Sequence, residues 1–318
     1  MKRFNTNMKT LNKRTICITT LEKELQNHLE SIVGSFLYFP NISKNDLKEK
    51  IKENNIDVIF TNPNQQDFKI DKNLLEHSKI SVICTASTGL NHIDSDYCAS
   101  RNIKIFSITK DMETIEKISS TAEHAFGLML SLIRKIPASF NSVKKGLWTW
   151  EPFVGRQINF LSIGIVGYGR LGKMMKRYCE AFGAKVFVCD PYVECENNVS
   201  IETLFKTCDV ISLHVHVTNE TRHMINHNLI KNIKIPLYLI NTSRGEIVNE
   251  NDVISGIESG KILGYATDVV EDEFGNLDNS PLLKRNDLNI IVTPHIAGMT
   301  KEARIIAYKS AMNKLLDV

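Results

Sequence analysis

The seven cysteines (Cys17, Cys84, Cys98, Cys179, Cys189, Cys195 and Cys208) form no CxxC pair and no Cys/His cluster at zinc-ligand spacing, so no metal is expected. Their number is odd, and several sit inside apolar runs such as SVICTA and KVFVCD. They read as buried or incidental thiols in a reducing cytoplasm. Charge of one sign is also missing. Lys and Arg number 39 against 36 Asp and Glu, a net of +3 with no basic run, so nucleic acid is not an expected partner. No apolar stretch reaches the ~20 residues that cross a bilayer. The amino-terminal MKRFNTNMKTLNKRTICITT has no apolar h-region, so neither a membrane partner nor a secretory signal is expected. Internal repeats and low-complexity segments are absent as well.

What is present is ordinary globular material in an informative order. The 318 residues are 42% hydrophobic and 24% charged, enough for two cores at about twice the usual single-domain length. Short β-rich runs at 15–20, 57–60, 81–86, 103–108, 161–167, 185–190, 209–215, 237–243, 262–269 and 289–295 alternate with helical patterns. Most are continuous apolar runs rather than alternating ones, the pattern of strands covered on both faces. Ten strands in two groups predict an α/β protein with two doubly wound parallel-sheet domains, Rossmann or flavodoxin-like, and an interdomain cleft. A helix is predicted from about Thr121 to Ile136, with Ala122, Ala125, Phe126, Met129, Leu132 and Ile133 on one face and Pro137 closing it. Another runs from Thr300 to Leu316 and is expected to pack back on the first domain. The expected division is 1–117 plus 297–318 for one domain and 118–296 for the other. The segment 138–155, with Trp148 and Trp150, reads as a surface connector.

The strongest motif is LSIGIVGYGRLGKMMKRYCEAFGAKVFVCDPY, where Gly167, Gly169 and Gly172 form GxGxxG. Alone the pattern is weak; here it follows an apolar strand, opens a helix with Leu171, Met174, Met175 and Tyr178 on one face, and precedes a second strand ending in Asp190. Gly167 permits the tight turn, Gly169 lets the backbone approach a pyrophosphate, and Gly172 allows close helix–sheet packing. The helix end offers free N–H groups to the phosphates, around Tyr168, Arg170 and Leu171. Asp190 can accept from both adenosine ribose hydroxyls and would repel a 2′-phosphate, so NAD is expected over NADP. The bland alternative is a structural glycine turn followed by a surface Asp.

Three later segments, INTSRGEIV (240–248), ATDVVEDE (266–273) and VTPHIAG (292–298), put polar residues at predicted strand ends, where open α/β sheets bind ligands. An Arg, a carboxylate and a His at such a site suggest hydride transfer on a 2-oxo or 2-hydroxy acid. Arg holds a carboxylate by a bidentate fork, His moves the hydroxyl proton, and a carboxylate orients the imidazole. Singly, Arg244 reads equally as a surface residue, Glu273 as a solvated loop acid and His295 as a satisfied strand-end histidine.

Order and spacing decide. Over roughly residues 80–310 the chain resembles the D-isomer-specific 2-hydroxyacid dehydrogenases, which include phosphoglycerate dehydrogenases and glyoxylate/hydroxypyruvate reductases. The resemblance lies in the glycine fingerprint, HVHVTNETRHMIN, INTSRGEIVNENDV, GYATDVVEDE and TPHIAGMT. It implies that Arg244 binds substrate, that Glu273 pairs with the histidine and that His295 is the general acid/base, with Asp268, Thr121 and Thr242 near the cofactor. Glu271 and Asp272 stand at the wrong offset from Asp268 for the pairing role. TASTGLNHID matches the family's substrate loop, in which the Thr88 and Gly89 amides meet a carboxylate; a plain turn is the alternative. Glu123 and His124 read as structural, and His216 stands where the family has proline. The resemblance also implies a cytoplasmic homodimer joined through the cofactor domain, with the Trp148–Trp150 connector as an interface element. A non-catalytic, NAD-sensing corepressor or scaffold is the alternative from another class.

Overall fold

The computed structural model describes residues 11, 13–63, 68–271, 273 and 277–318; residues 1–10 and Asp272, both read above, lie outside that set. The chain divides into two compact units, one running to Ile118 and completed by Met299–Val318, the other Ser119–Gly298.

The first unit holds a sheet of β1 (Thr15–Cys17), β2 (Phe36–Tyr38), β3 (Val58–Thr61), β4 (Val82–Thr85) and β5 (Lys104–Phe106). All pairings are parallel, in the order β2-β1-β3-β4-β5. Successive side chains leave a strand on opposite faces, and both faces here are covered. Ile16, Ile59 and Ile83 pack on one side with Leu47, Ile51, Leu75 and Cys98. Cys17, Phe60 and Cys84 pack on the other with Leu25, Leu29, Tyr308 and Met312. That is why the strands read as unbroken apolar runs. The helix Lys301–Asn313, capped by Thr300 accepting from the Ala303 amide at 3.2 Å, supplies Tyr308 and Met312 from the far end of the chain.

The second unit holds β6 (Ser162–Val166), β7 (Lys185–Cys189), β8 (Val210–Leu213), β9 (Leu237–Asn241), β10 (Ile262–Thr267) and β11 (Ile290–Val292), parallel in the order β11-β10-β9-β8-β6-β7. Its two faces carry separate cores. One joins Ile163, Ile165, Val186 and Ile240 to Met129, Leu132 and Met175; the other joins Ile211, Leu213 and Leu239 to Phe205, Ile230 and Val253. Strand order reverses between β6 and β8, so the carboxyl ends of those two strands flank the place where such sheets take ligands.

Two expectations change. β2 is a three-residue, half-buried edge strand that had not been anticipated. Pro137 does not simply end a helix: the helix Ser120–Ile133 stops first, and Pro137 lies in the first turn of a new helix, Ile136–Lys144, where its missing N–H costs nothing. That helix buries none of its residues. In the fingerprint helix Arg170–Ala181 the fully buried positions are Gly172, Met175 and Cys179, with Leu171, Met174 and Tyr178 only partly covered. Among the described residues no helix is long and apolar enough to cross a membrane.

Candidate active site

The turn after β6 is built by glycine. Gly167 adopts φ +91°, a left-handed conformation that other residues resist. A Cβ on Gly172 would overlap the Gly167 carbonyl, so only glycine lets the helix sit down on the turn. Gly169 is the N-cap, without a side-chain cap, and nothing lies within 4 Å of where its Cβ would be. The first turn of that helix, with Arg170 and Leu171, therefore meets an open space at its positive end. At the end of β7, Asp190 accepts from the Tyr168 amide at 2.8 Å and the Tyr192 amide at 2.9 Å, which ties the second strand to the glycine turn. A carboxylate has about four acceptor sites, so two such bonds leave capacity for hydroxyl donors.

Two polar atoms at neighbouring strand ends are buried without a partner among the described residues: Thr242 Oγ1, just past β9, and His214 Nδ1, just past β8. Buried polar atoms are nearly always satisfied, and an orphan points to a missing ligand or water. His214 is held by its amide to the Val166 carbonyl at 2.7 Å and by Nε2 with the Ser212 hydroxyl at 2.9 Å. Desolvation pushes its pKa down to about 4, so its imidazole is neutral near pH 7. Together the glycine turn, the open helix end, Asp190 and these orphans fit a dinucleotide. Thr121, in the first turn of Ser120–Ile133, lies 4.0 Å from where a Cβ on Gly298 would stand.

β9, β10 and β11 are sheet neighbours, so the segments that follow them meet at one edge. After β9, buried Asn241 fixes the turn: its Oδ1 accepts from the Ser243 amide at 3.0 Å and its Nδ2 donates to the Arg244 carbonyl at 2.9 Å. Ser243 Oγ donates to the Leu213 carbonyl at 2.7 Å. Arg244 Nη1 donates to the Ser243 carbonyl at 2.6 Å, and the guanidinium meets no carboxylate among the described residues. It remains available to an anion.

After β10, Asp268 is 1% exposed and its carboxylate organises the turn that follows β11. Oδ1 accepts from Thr293 Oγ1 at 2.5 Å and the Ile296 amide at 2.9 Å, and Oδ2 from the Ala297 amide at 2.7 Å. His124 Nε2 stands 3.0 Å from Thr293 Oγ1 and 3.5 Å from Asp268 Oδ1. Burial alone would raise the Asp268 pKa, but the bonds from His124, Thr293 and the Ala297 and Ile296 amides outweigh it and hold the carboxyl below its ordinary range. Asp268 thus serves as a clamp for the 293–297 turn, a role that the spacing of the motif did not suggest. Thr293 and His124 belong to the same clamp. No local signal marks Thr293, and His124 is legible only as a polar residue near the start of an apolar helix.

The clamped turn presents His295. Its amide donates to the Asp268 and Thr293 carbonyls, both at 2.9 Å, and its backbone sits at φ +52°. Such strain in a non-glycine residue, held by its surroundings, is typical of functional sites. Nδ1 of His295 lies 2.9 Å from Glu273 Oε2, with both side chains mostly shielded. The neighbouring acid Glu271 instead meets His223 Nε2 at 2.8 Å. His216 is exposed.

In the first unit, Thr88 and Gly89 follow β4 in a loop held by Thr109 Oγ1 donating to the Thr88 carbonyl at 2.9 Å, and by Ser87 Oγ with the Gly89 carbonyl. Neither the Thr88 nor the Gly89 amide donates to another group among the described residues. Among those residues no group of His, Cys, Asp and Glu is arranged to hold a metal ion.

Comparison with known proteins gives the family. The family description "D-isomer specific 2-hydroxyacid dehydrogenase, NAD binding domain" matches residues 126–297. A D-3-phosphoglycerate dehydrogenase of Archaeoglobus fulgidus is 35% identical over 245 residues, 74% of this chain and 45% of its own length. A glyoxylate reductase of Thermococcus litoralis is 35% identical over 273 residues, 81% of this chain and 78% of its own. The chain thus spans about half the length of the first of these relatives and most of the second. The crystal structure of a D-lactate dehydrogenase from Aquifex aeolicus, complexed with NAD and lactic acid, superposes with a TM-score of 0.76 at 29% identity, covering 94% of this chain and 93% of that one. The chain belongs to the D-isomer-specific 2-hydroxyacid dehydrogenase family, and residues 126–297 are its NAD-binding domain.

Proposed function

We propose that the protein is an NAD-dependent oxidoreductase interconverting a small D-2-hydroxy acid and its 2-oxo acid. The observation that carries this is the His295–Glu273 pair, 2.9 Å apart on the same sheet edge as an arginine with no carboxylate partner among the described residues. Gly167, Tyr168, Gly169, Arg170, Leu171, Gly172 and Asp190 would hold the dinucleotide, with Thr121, Thr242 and Asp268 on the nicotinamide side. NAD, when bound, supplies or takes up the hydride. Arg244 binds the substrate carboxylate by its fork, and the Thr88 and Gly89 amides are the first unit's candidate group for an anion of the same kind. His295 Nε2 takes the hydroxyl proton in oxidation and returns it to the carbonyl oxygen in reduction, while Glu273 fixes the ring through Nδ1. Asp190 favours NAD over NADP by repelling a 2′-phosphate.

The relatives named above act on phosphoglycerate, glyoxylate and lactate chemistry, which sets the panel for the test. NADH oxidation is followed with glyoxylate, hydroxypyruvate, pyruvate and 3-phosphohydroxypyruvate. Turnover of one or more is expected; none across the panel would overturn the reading.

We place the working enzyme in the cytoplasm as a homodimer formed through the NAD-binding domain. The seven thiols are all free, as a reducing compartment requires. The helix Ile136–Lys144 and its connector expose Phe140, Leu147, Trp148 (89%) and Trp150 (72%), an apolar face that water alone leaves uncovered at a cost. Light scattering after size exclusion should give twice the chain mass. Trp148→Asp with Trp150→Asp should give one.

A further inference from the structure

Glu250 opens the helix Glu250–Glu258 yet is only 5% exposed. An acid in a first turn ordinarily lies in solvent and steadies its own helix. Taken out of water, a carboxylate must be met by donors, and this one finds them on another segment. Oε1 accepts from the Glu271 amide at 2.9 Å and Oε2 from the Ser280 hydroxyl at 2.7 Å. Those two residues bracket Glu273, whose carboxylate meets His295.

The Glu271 end is gripped a second time. His223 Nε2 lies 2.8 Å from Glu271 Oε1, with Arg222 Nη1 at 3.9 Å. His223 itself is in the left-handed region, φ +50°, with its amide donating to the Glu246 carbonyl at 2.7 Å. Gly245 closes the joint: a Cβ there would overlap the carbonyl carbon and oxygen of Val270 and the nitrogen of Glu271. The turn that carries Arg244 therefore rests on the peptide that leads to Glu273.

We propose that Glu250 is a positioning residue for the hydride-transfer site, aided by the His223–Glu271 pair: its buried carboxylate pins both ends of the stretch that holds Glu273 against His295 Nδ1. The proposal rests on the reading of His295 as the proton-transfer group. Glu250 acts through Glu273.

The test compares Glu250→Ala, Glu250→Gln, Glu273→Gln and the Glu250→Ala/Glu273→Gln double variant. Two readouts are taken: kinetics with a 2-oxo acid that the wild type reduces, and the proton resonance of the His295 Nδ1–H, assigned by its loss in His295→Gln. Glu250→Ala should lower kcat about ten- to a hundredfold, as misplacement of a catalytic group does, with KM and NADH affinity nearly unchanged, and should broaden the resonance as Glu273→Gln does. Glu250→Gln should retain both, since its carboxamide can accept from the Glu271 amide and donate to Ser280 Oγ. In the Glu273→Gln background Glu250→Ala should add less than about twofold, the non-additivity of residues acting in one chain of contacts. An intact resonance with unchanged kcat in Glu250→Ala, or fully additive losses, would overturn the proposal. If Glu250→Ala fails to fold, Ser280→Ala removes one of the two bonds and must still broaden the resonance. A wild type inactive on every 2-oxo acid would defeat the dehydrogenase reading, while the resonance would still decide whether Glu250 positions Glu273.

Discussion

The two units share a plan and differ in what they put at the carboxyl ends of their strands. In the first sheet the polar residues there are mostly hydroxyls and amides that face one another, with the Arg304–Glu22 ion pair beside them. Tyr308 Oη accepts from Asn62 Nδ2 at 2.5 Å and bonds Thr19 Oγ1 at 3.2 Å, and Thr85 Oγ1 bonds His92 Nε2 at 3.0 Å. In the second sheet the same ends carry Asp190, His214, Arg244, Asp268, Glu273 and His295. Parallel topology supplies a place for chemistry; the residues at the strand ends decide what kind.

That contrast can be broken most sharply at His295. His295→Gln should lower kcat by about a thousandfold while NADH still binds, read by fluorescence titration; near-normal turnover would move the chemistry elsewhere. Arg244→Lys keeps the charge but loses the fork, and should reduce kcat/KM for the 2-oxo acid roughly thirtyfold or more, about 2 kcal/mol. An unchanged kcat/KM would remove Arg244 from substrate binding.

Asp190→Ala should relax the preference for NAD over NADP on the order of tenfold, measured as the ratio of the two kcat/KM values. A pH series sharpens the comparison from the side of stability. His214 has a folded pKa of about 4 against 6.5 for the free side chain. The unfolded chain therefore takes up the proton first, and stability should fall as pH drops from about 6.5 toward 4, on the order of 3 kcal/mol in all. Denaturant midpoints for His214→Gln should lack that slope. Smallest is Tyr308→Phe, in the hydrogen-bond network of the first unit. It should cost about 1 kcal/mol, seen as a melting shift of a few degrees, and leave kcat untouched.

Much of this was legible in the residues. Unbroken runs such as LSIGIVG and LYLINTS announce strands buried on both faces, and all ten such runs contain strands. β2 was missed although Phe36–Tyr38 lies in an apolar run, Phe36–Phe39, as long as the one that marked β3. Pro137 misled: the first helix has already ended at Ile133, and the proline belongs to the start of the next one. The glycine turn could be read because its residues are adjacent in sequence. The Asp268 clamp and the Glu250 brace could not: Glu250 meets partners 21 and 30 residues away, and only the fold brings them together. Long-range polar contacts have no period and no local signature.

The helix Lys301–Asn313 has a consequence for how the chain is made. It covers one face of the first sheet with Ala307, Tyr308, Ala311 and Met312, and it follows the entire second unit in sequence. On the ribosome, the second unit can finish while Cys17, Phe60 and Cys84 still wait for their cover. Domains complete when their last contact emerges, so the unit whose synthesis begins first is the one that folds last. Until residues 301–313 emerge, the first sheet keeps an open apolar face, and that is the window in which a chaperone would have work to do.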